Sequence, residues 1–138
     1  MKLRFIMTIS FLAILVTTGF SQDGHNHDSD EIHLDNGSKW KVVDHMMAHI
    51  INMENDVKDF KGETLTDYNK LGEKLLANIV LLTSNCTMTG QAHDELHVWL
   101  LPYIDLVNEF AETKTYQVAV DHYKEIQDSF VRLNKYFK

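Results

Sequence analysis

Four stretches of the chain repeat apolar residues at spacings of three and four, the period of an amphipathic helix. They span residues 38–60, 64–85, 90–113 and 114–137. Their apolar stripes are, in order, Val43, Met46, Ile50, Met53, Val57 and Phe60; Leu65, Tyr68, Gly72, Leu75, Ile79 and Leu82; Leu96, Leu100, Tyr103, Val107 and Phe110; and Tyr116, Ala119, Tyr123, Ile126, Phe130, Leu133 and Phe137. No stretch alternates like a half-buried strand, so the pattern predicts an all-α protein.

The connections between these stretches are short, which favours antiparallel neighbours and predicts an up-down-up-down four-helix bundle over residues 38–138. Ser38 is a candidate N-cap of the first helix, and Gly62 follows its expected end. Pro102 lies inside the third stretch and predicts a kink near Val98. The length suits one domain with one core.

The first residues have the three parts of a secretory signal. Lys2 and Arg4 form a basic start, an uncharged apolar run follows, and Gly19 and Ser21 precede a cleavage site before Gln22. The apolar run is shorter than the roughly 20 residues of a membrane-spanning helix, although an uncleaved anchor is the alternative. We therefore expect a signal peptide over residues 1–21, a periplasmic or extracellular protein, and no membrane insertion after processing.

Residues 22–37 (QDGHNHDSDEIHLDNG) are polar and acidic and lack an apolar period. This composition predicts a flexible arm. It contains His25, His27 and His33, and a short tract rich in histidine can capture metal weakly. A purely solubilising tail is the other interpretation.

The chain has 13 Lys and Arg against 20 Asp and Glu, a net charge of −7. Nucleic acid is therefore not an expected partner, because phosphate binding needs clustered basic residues. Cys86 is the only cysteine. It cannot form an internal disulfide, which leaves it buried, bound to a ligand, or paired with another chain in a homodimer.

Antiparallel packing would bring the start of the first helix, the end of the second and the start of the third to one end of the bundle. The metal ligands available there are Cys86, His93, His97, His49, Met46, Met88 and His45. Two of the pairs, His45/His49 and His93/His97, have the four-residue spacing that lets two imidazoles bind one cation. Sulfur ligands favour copper(I), whereas imidazole alone suits zinc or copper(II).

Each candidate ligand also has a purely structural interpretation. Met46 and Met53 could simply fill the core, Cys86 could be a buried small hydrophobe, and His45 could face water. Motifs of common enzymes (HExxH, GxSxG and a phosphate-binding loop) are missing from the sequence. Only Asp94-x-x-His97 approaches the Glu-x-x-His of di-iron bundles. We therefore expect a protein without enzymatic activity.

Residues 86–100, CTMTGQAHDELHVWL, and residues 34–40, LDNGSKW, carry a resemblance to known proteins. Together they resemble the signature of a family of small exported bacterial helical proteins, C-T-M-x-G-x-x-H-x-x-L-H-x-W/Y-L preceded by L-x-N-G-x-K-W. The resemblance implies an exported helical protein and brings no activity with it.

The layout is also similar to the soluble b-type four-helix cytochromes, which bind haem through a Met on the first helix and a His near the end of the last. Met46 or Met47 would supply the Met, but the last helix ends in RLNKYFK without a His. The sequence thus predicts an exported copper- or zinc-binding protein for metal sequestration or delivery. The alternatives are a cofactor-free interaction or sensor module and a haem-binding bundle.

Overall fold

A computed structural model describes residues 31–138. The predicted signal peptide, residues 1–21, and residues 22–30 of the predicted arm lie outside this range. The described part forms four helices: α1 (Asp44–Asp59), α2 (Leu65–Ser84), α3 (Gln91–Glu112) and α4 (Tyr116–Tyr136). It contains only two isolated β-bridges and no strand, which confirms the predicted all-α class. In residues 31–138, no helix has both the length and the apolarity to cross a membrane.

Threonines begin two of the helices. The Thr64 hydroxyl accepts a hydrogen bond from the N–H of Asp67 at 3.2 Å, and the Asp67 carboxylate accepts one from the N–H of Thr64 at 3.0 Å. This reciprocal capping box satisfies N–H groups that otherwise lack partners at the start of α2. Thr115 caps α4 by accepting from the N–H of Val118 at 3.4 Å.

The first helix begins six residues later than the apolar pattern predicts, at Asp44 instead of Ser38. The preceding segment is extended because it pairs with the C-terminal residues. The N–H of Trp40 donates to the carbonyl of Tyr136 at 2.8 Å, and the N–H of Lys138 donates to the carbonyl of Trp40 at 2.9 Å. These long-range bonds require an extended backbone, which a helix cannot supply.

The described part of the predicted arm, residues 31–37, is anchored to the folded core at Ile32 and His33. Ile32 is 2% exposed. The N–H of His33 donates to Glu95 Oε2 at 2.8 Å, and the indole N–H of Trp40 donates to the carbonyl of His33 at 2.6 Å. The folded part of the chain therefore starts no later than Ile32.

The four apolar stripes form one continuous core. Trp99 joins them: its indole stacks on Tyr103 with ring centroids 4.7 Å apart and donates to the carbonyl of Ser129 at 3.0 Å. Tyr116 is the exception among the predicted core residues, since it is 49% exposed. Tyr116 lies at the start of α4, and its ring makes a T-shaped contact with the ring of Tyr68. The two ring centroids are 5.7 Å apart.

Each of α1 and α3 packs against both α2 and α4, and α2 also touches α4. α2 and α3 lie close together at Gly72, where an added Cβ would be 2.6 Å from the Cα of Ala111. Polar contacts join the second helix to the ends of its neighbours: Lys74 Nζ lies 2.6 Å from Asp56 Oδ1, and Asn69 Nδ2 donates to the carbonyl of Thr113 at 3.3 Å.

Candidate metal centre

A cavity of about 330 Å³ lies between the end of α2 and α3, which lines it from His93 to Ile104, and it is also bordered by Met46 of α1. Its lining residues are Met46, Thr83, Cys86, His93, Leu96, His97, Leu100, Leu101 and Ile104. Met46 and Leu96 are buried, at 1% and 0% exposure, whereas Cys86 is exposed. The cavity therefore runs from the core to the surface, and four of the predicted ligands border it.

Two imidazoles lie side by side on one wall of the cavity. His93 and His97 are one helical turn apart on α3, and their ring centroids are 4.1 Å apart with an angle of 51° between the ring planes. His93 Nδ1 is 3.6 Å from Asp94 Oδ1, and the His93 side chain is 25% exposed. Rings at this separation can turn toward one cation, as the four-residue spacing predicts.

Cys86 lies in the α2–α3 loop, residues 85–90, just after the end of the second helix. That helix ends at Ser84, and the N–H of Cys86 donates a hydrogen bond to the carbonyl of Thr83 at 3.4 Å. The thiol is free and exposed. Cys86 is therefore not a buried small hydrophobe, and a metal or another reagent can reach it.

His45 holds the α2–α3 loop on both sides of the cysteine. Its Nε2 lies 2.9 Å from the carbonyl oxygen of Asn85 and 3.4 Å from the hydroxyl of Thr87. Because a carbonyl only accepts hydrogen bonds, Nε2 carries a hydrogen in the first contact. His45 thus ties the first turn of α1 to the residues that flank Cys86, and it does not line the cavity.

Two further candidates also lie away from the cavity wall. His49 shares a face of α1 with His45, four residues before it, and with Asp56, seven residues after it. His45 contacts Asn85 at the end of α2 and Asp56 contacts Lys74 of α2, so this face is directed toward α2. The Nδ1 atom of His49 is buried without a hydrogen-bond partner. Met88 is 8% exposed and belongs to the core.

Residues 31–138 contain no group of three His, Cys, Asp or Glu side chains close enough together to hold a metal ion. The structure thus brings Met46, Cys86, His93 and His97 to one cavity without assembling a complete three-ligand site. His25 and His27 of the arm lie outside the described residues.

The remaining wall residues of the cavity were not anticipated as part of a site. Leu100 belongs to a predicted stripe, while Leu101 and Ile104 follow it on the side of α3 that faces the cavity. Leu101 is 49% exposed. In the sequence this wall is marked only by apolar residues beside the inward stripe, which are common in ordinary helices.

Comparison of the chain with protein-family models finds no match, and comparisons with curated proteins and with solved structures find none either.

Proposed function

We propose that this chain is an exported, non-enzymatic protein that binds one transition-metal ion, copper or zinc, and serves in metal sequestration or delivery. The metal would bind in the cavity between α2 and α3, with Cys86, His93 and His97 as its ligands. The observation that carries the proposal is the cavity that these three residues share with Met46.

The chemistry of these side chains supports the proposal. A cysteine thiolate and neutral imidazoles are the preferred ligands of zinc and copper. The His93 and His97 rings are already adjacent, and Cys86 borders the same cavity from the α2–α3 loop. Cys86 is exposed, so an ion from solvent can reach it without unfolding.

The proposal includes an antiparallel up-down-up-down arrangement of the four helices. It is supported by contacts that join the start of one helix to the end of another. Tyr123, early in α4, donates its hydroxyl to the carbonyl of Val57 near the end of α1 at 2.7 Å. Asn69, early in α2, donates to the carbonyl of Thr113 after α3 at 3.3 Å.

Export is also part of the proposal, through a signal peptide over residues 1–21 and cleavage before Gln22. The basic start and the following apolar run support it. N-terminal sequencing of the protein recovered from the periplasm or the medium tests this point, and a first residue other than Gln22 would move or remove the cleavage site.

Metal titration of the purified mature protein tests the binding function. We expect one ion per chain with a dissociation constant below about 1 μM. The double variant His93→Ala/His97→Ala should lose this binding. The matched control is His33→Ala/His122→Ala, which removes two imidazoles that do not line the cavity and should bind like the wild type. Weak binding by the wild type, or equal binding by both variants, would exclude the proposed site.

A cofactor-free interaction module is the second candidate function. Two observations favour it. Within residues 31–138, no three His, Cys, Asp or Glu side chains lie close enough together to hold a metal ion, and leucine and isoleucine side chains form part of the cavity wall. In that case the double variant Cys86→Ala/His93→Leu should keep the stability of the wild type, and neither protein should bind metal.

A further inference from the structure

We infer that the ion held in this cavity is copper(I), with the Met46 thioether as a ligand beside the Cys86 thiolate. The inference rests on the proposed function, because it identifies the cargo of the same site. Met46 would then be a metal ligand as well as a core residue.

Met46 is a buried residue at the wall of the cavity. It is 1% exposed and lies on α1, yet it borders the cavity together with Cys86 of the loop and His93 of α3. The thioether therefore lies at the buried side of the cavity and the thiol at the surface side. Both sulfurs border the same cavity. Soft sulfur ligands are those that copper(I) prefers.

The charge of the cavity lining also favours copper(I). None of its lining residues is Asp, Glu, Lys or Arg. The carboxylate of Asp94, which lies next to His93, points to solvent with its side chain 79% exposed. Once deprotonated, Cys86 is the only anionic side chain in the cavity lining.

This charge balance distinguishes the two metals. Copper(I) with one thiolate is neutral, whereas zinc(II) with one thiolate and neutral ligands keeps one positive charge. The cavity wall contains Leu96, Leu100 and Ile104, and an uncompensated charge beside apolar side chains is costly. His93 is also the third residue of α3, where the helix carries partial positive charge that repels a divalent ion more strongly.

Binding requires no change of oxidation state. The Cys86 S–H bond breaks, the proton passes to solvent, and a sulfur–copper bond forms while copper remains in the +1 state. Copper(I) supplied as such is the only reactant.

The experiment compares copper(I) and zinc(II) under anaerobic conditions, each in competition with a chromophoric chelator. We expect the mature wild-type protein to bind copper(I) more tightly than zinc(II). Met46→Leu should weaken copper(I) binding by about tenfold or more and leave zinc(II) binding within about twofold. The exchange conserves volume, so the variant should fold. Copper X-ray absorption should detect two sulfur ligands in the wild type and one in the variant.

The matched control is Met53→Leu. Met53 is equally buried and lies two turns further along α1, outside the cavity lining, so its replacement should leave both affinities unchanged. Tighter binding of zinc(II), or copper(I) binding that Met46→Leu does not weaken, would overturn the inference while the metal-binding function stands. Failure of the wild type to bind either metal would remove the function itself.

Discussion

Cys86 and Met46 differ in environment although both border the same cavity. The cysteine is exposed on a loop, while the methionine is buried on a helix. A free thiol that solvent can reach is open to metals and alkylating reagents. The thioether has no proton to lose and stays neutral, so it can serve a metal only as an uncharged soft sulfur ligand. The two sulfurs therefore have separate roles that separate variants can test.

We expect Cys86 of the metal-free protein to react with iodoacetamide at a rate close to that of a small thiol, because it is exposed. Prior loading with copper(I) should suppress the reaction, since a coordinated sulfur is not a free nucleophile. Mass spectrometry of the alkylated protein measures both rates. Equal rates with and without copper(I) would show that Cys86 is not a ligand.

The capping carboxylate of Asp67 makes a pH-dependent contribution to stability. Hydrogen bonds from the hydroxyl and N–H of Thr64 and from the N–H of Glu63 hold the pKa of Asp67 below its ordinary value of 3.8. Its stabilising effect should be complete above about pH 4 and disappear as the pH falls through the lowered pKa. Urea denaturation of the wild type and Asp67→Asn should therefore give a stability difference that is constant near neutral pH and shrinks in acid. A difference independent of pH would contradict this.

The connections between helices determine how the site is assembled. The α2–α3 loop carries Cys86 and ends at Gly90, whose φ of +73° is a conformation that glycine adopts without strain. His45 of α1 contacts this loop on either side of the cysteine. The element that presents the thiol is therefore held by a third helix.

His45→Ala should weaken metal binding by about tenfold, the lower end of the usual effect of residues that orient ligands. The reason is that the loop loses the contact at Asn85 and the thiol is less well positioned. His45→Gln should restore most of the affinity, because its amide can still donate to the same carbonyl. If His45 were itself a ligand, glutamine would not restore binding. Metal titration of both variants distinguishes these outcomes.

Gly72 allows α2 and α3 to pack closely. A Cβ at this position would lie 2.6 Å from the Cα and 2.9 Å from the N of Ala111, and backbone atoms cannot move aside cheaply. Gly72→Ala should destabilise the protein by about 1–3 kcal/mol, although alanine is the better helix former by about 1 kcal/mol. Urea denaturation measures the change. Glu73→Ala, at the exposed neighbouring position, should change stability by less than about 0.5 kcal/mol.

At the scale of the whole molecule, residues 31–138 share one hydrophobic core, and the segments before α1 and after α4 pair with each other beside it. The segment around Trp40 pairs with the residues that follow α4, and Phe137 is 3% exposed beneath this pairing. The cavity is part of the same core, because Met46 and Leu96 belong to both. Metal binding and folding stability should therefore be coupled.

We expect metal to raise the free energy of unfolding by about 2.7 kcal/mol when the free ion is at 100 times its dissociation constant. The reason is that the ion binds the folded cavity, whereas the unfolded chain keeps its ligands apart. Denaturant titration with and without metal measures the increase. His93→Ala/His97→Ala should show no increase, and an equal increase in that variant would indicate binding elsewhere, for example at the arm.

The sequence alone predicted the all-α class and the inward stripes, because the helical period is a local property of neighbouring residues. It also placed His93 beside His97, since four residues make one turn of a helix. It missed the extended segment before α1, where bonds from Trp40 to Tyr136 and Lys138 decide the conformation. Such pairing joins residues far apart in the chain, and no local pattern encodes it.

Tertiary structure decided which candidate ligands share a cavity. Cys86, His93 and Met46 come from a loop and two helices, so their meeting depends on how the helices pack. His45 and His49 have the same spacing as the histidines of α3, yet they face α2 instead of the cavity. Spacing determines only which side chains share a helix face. The direction of that face is set by the helices packed around it.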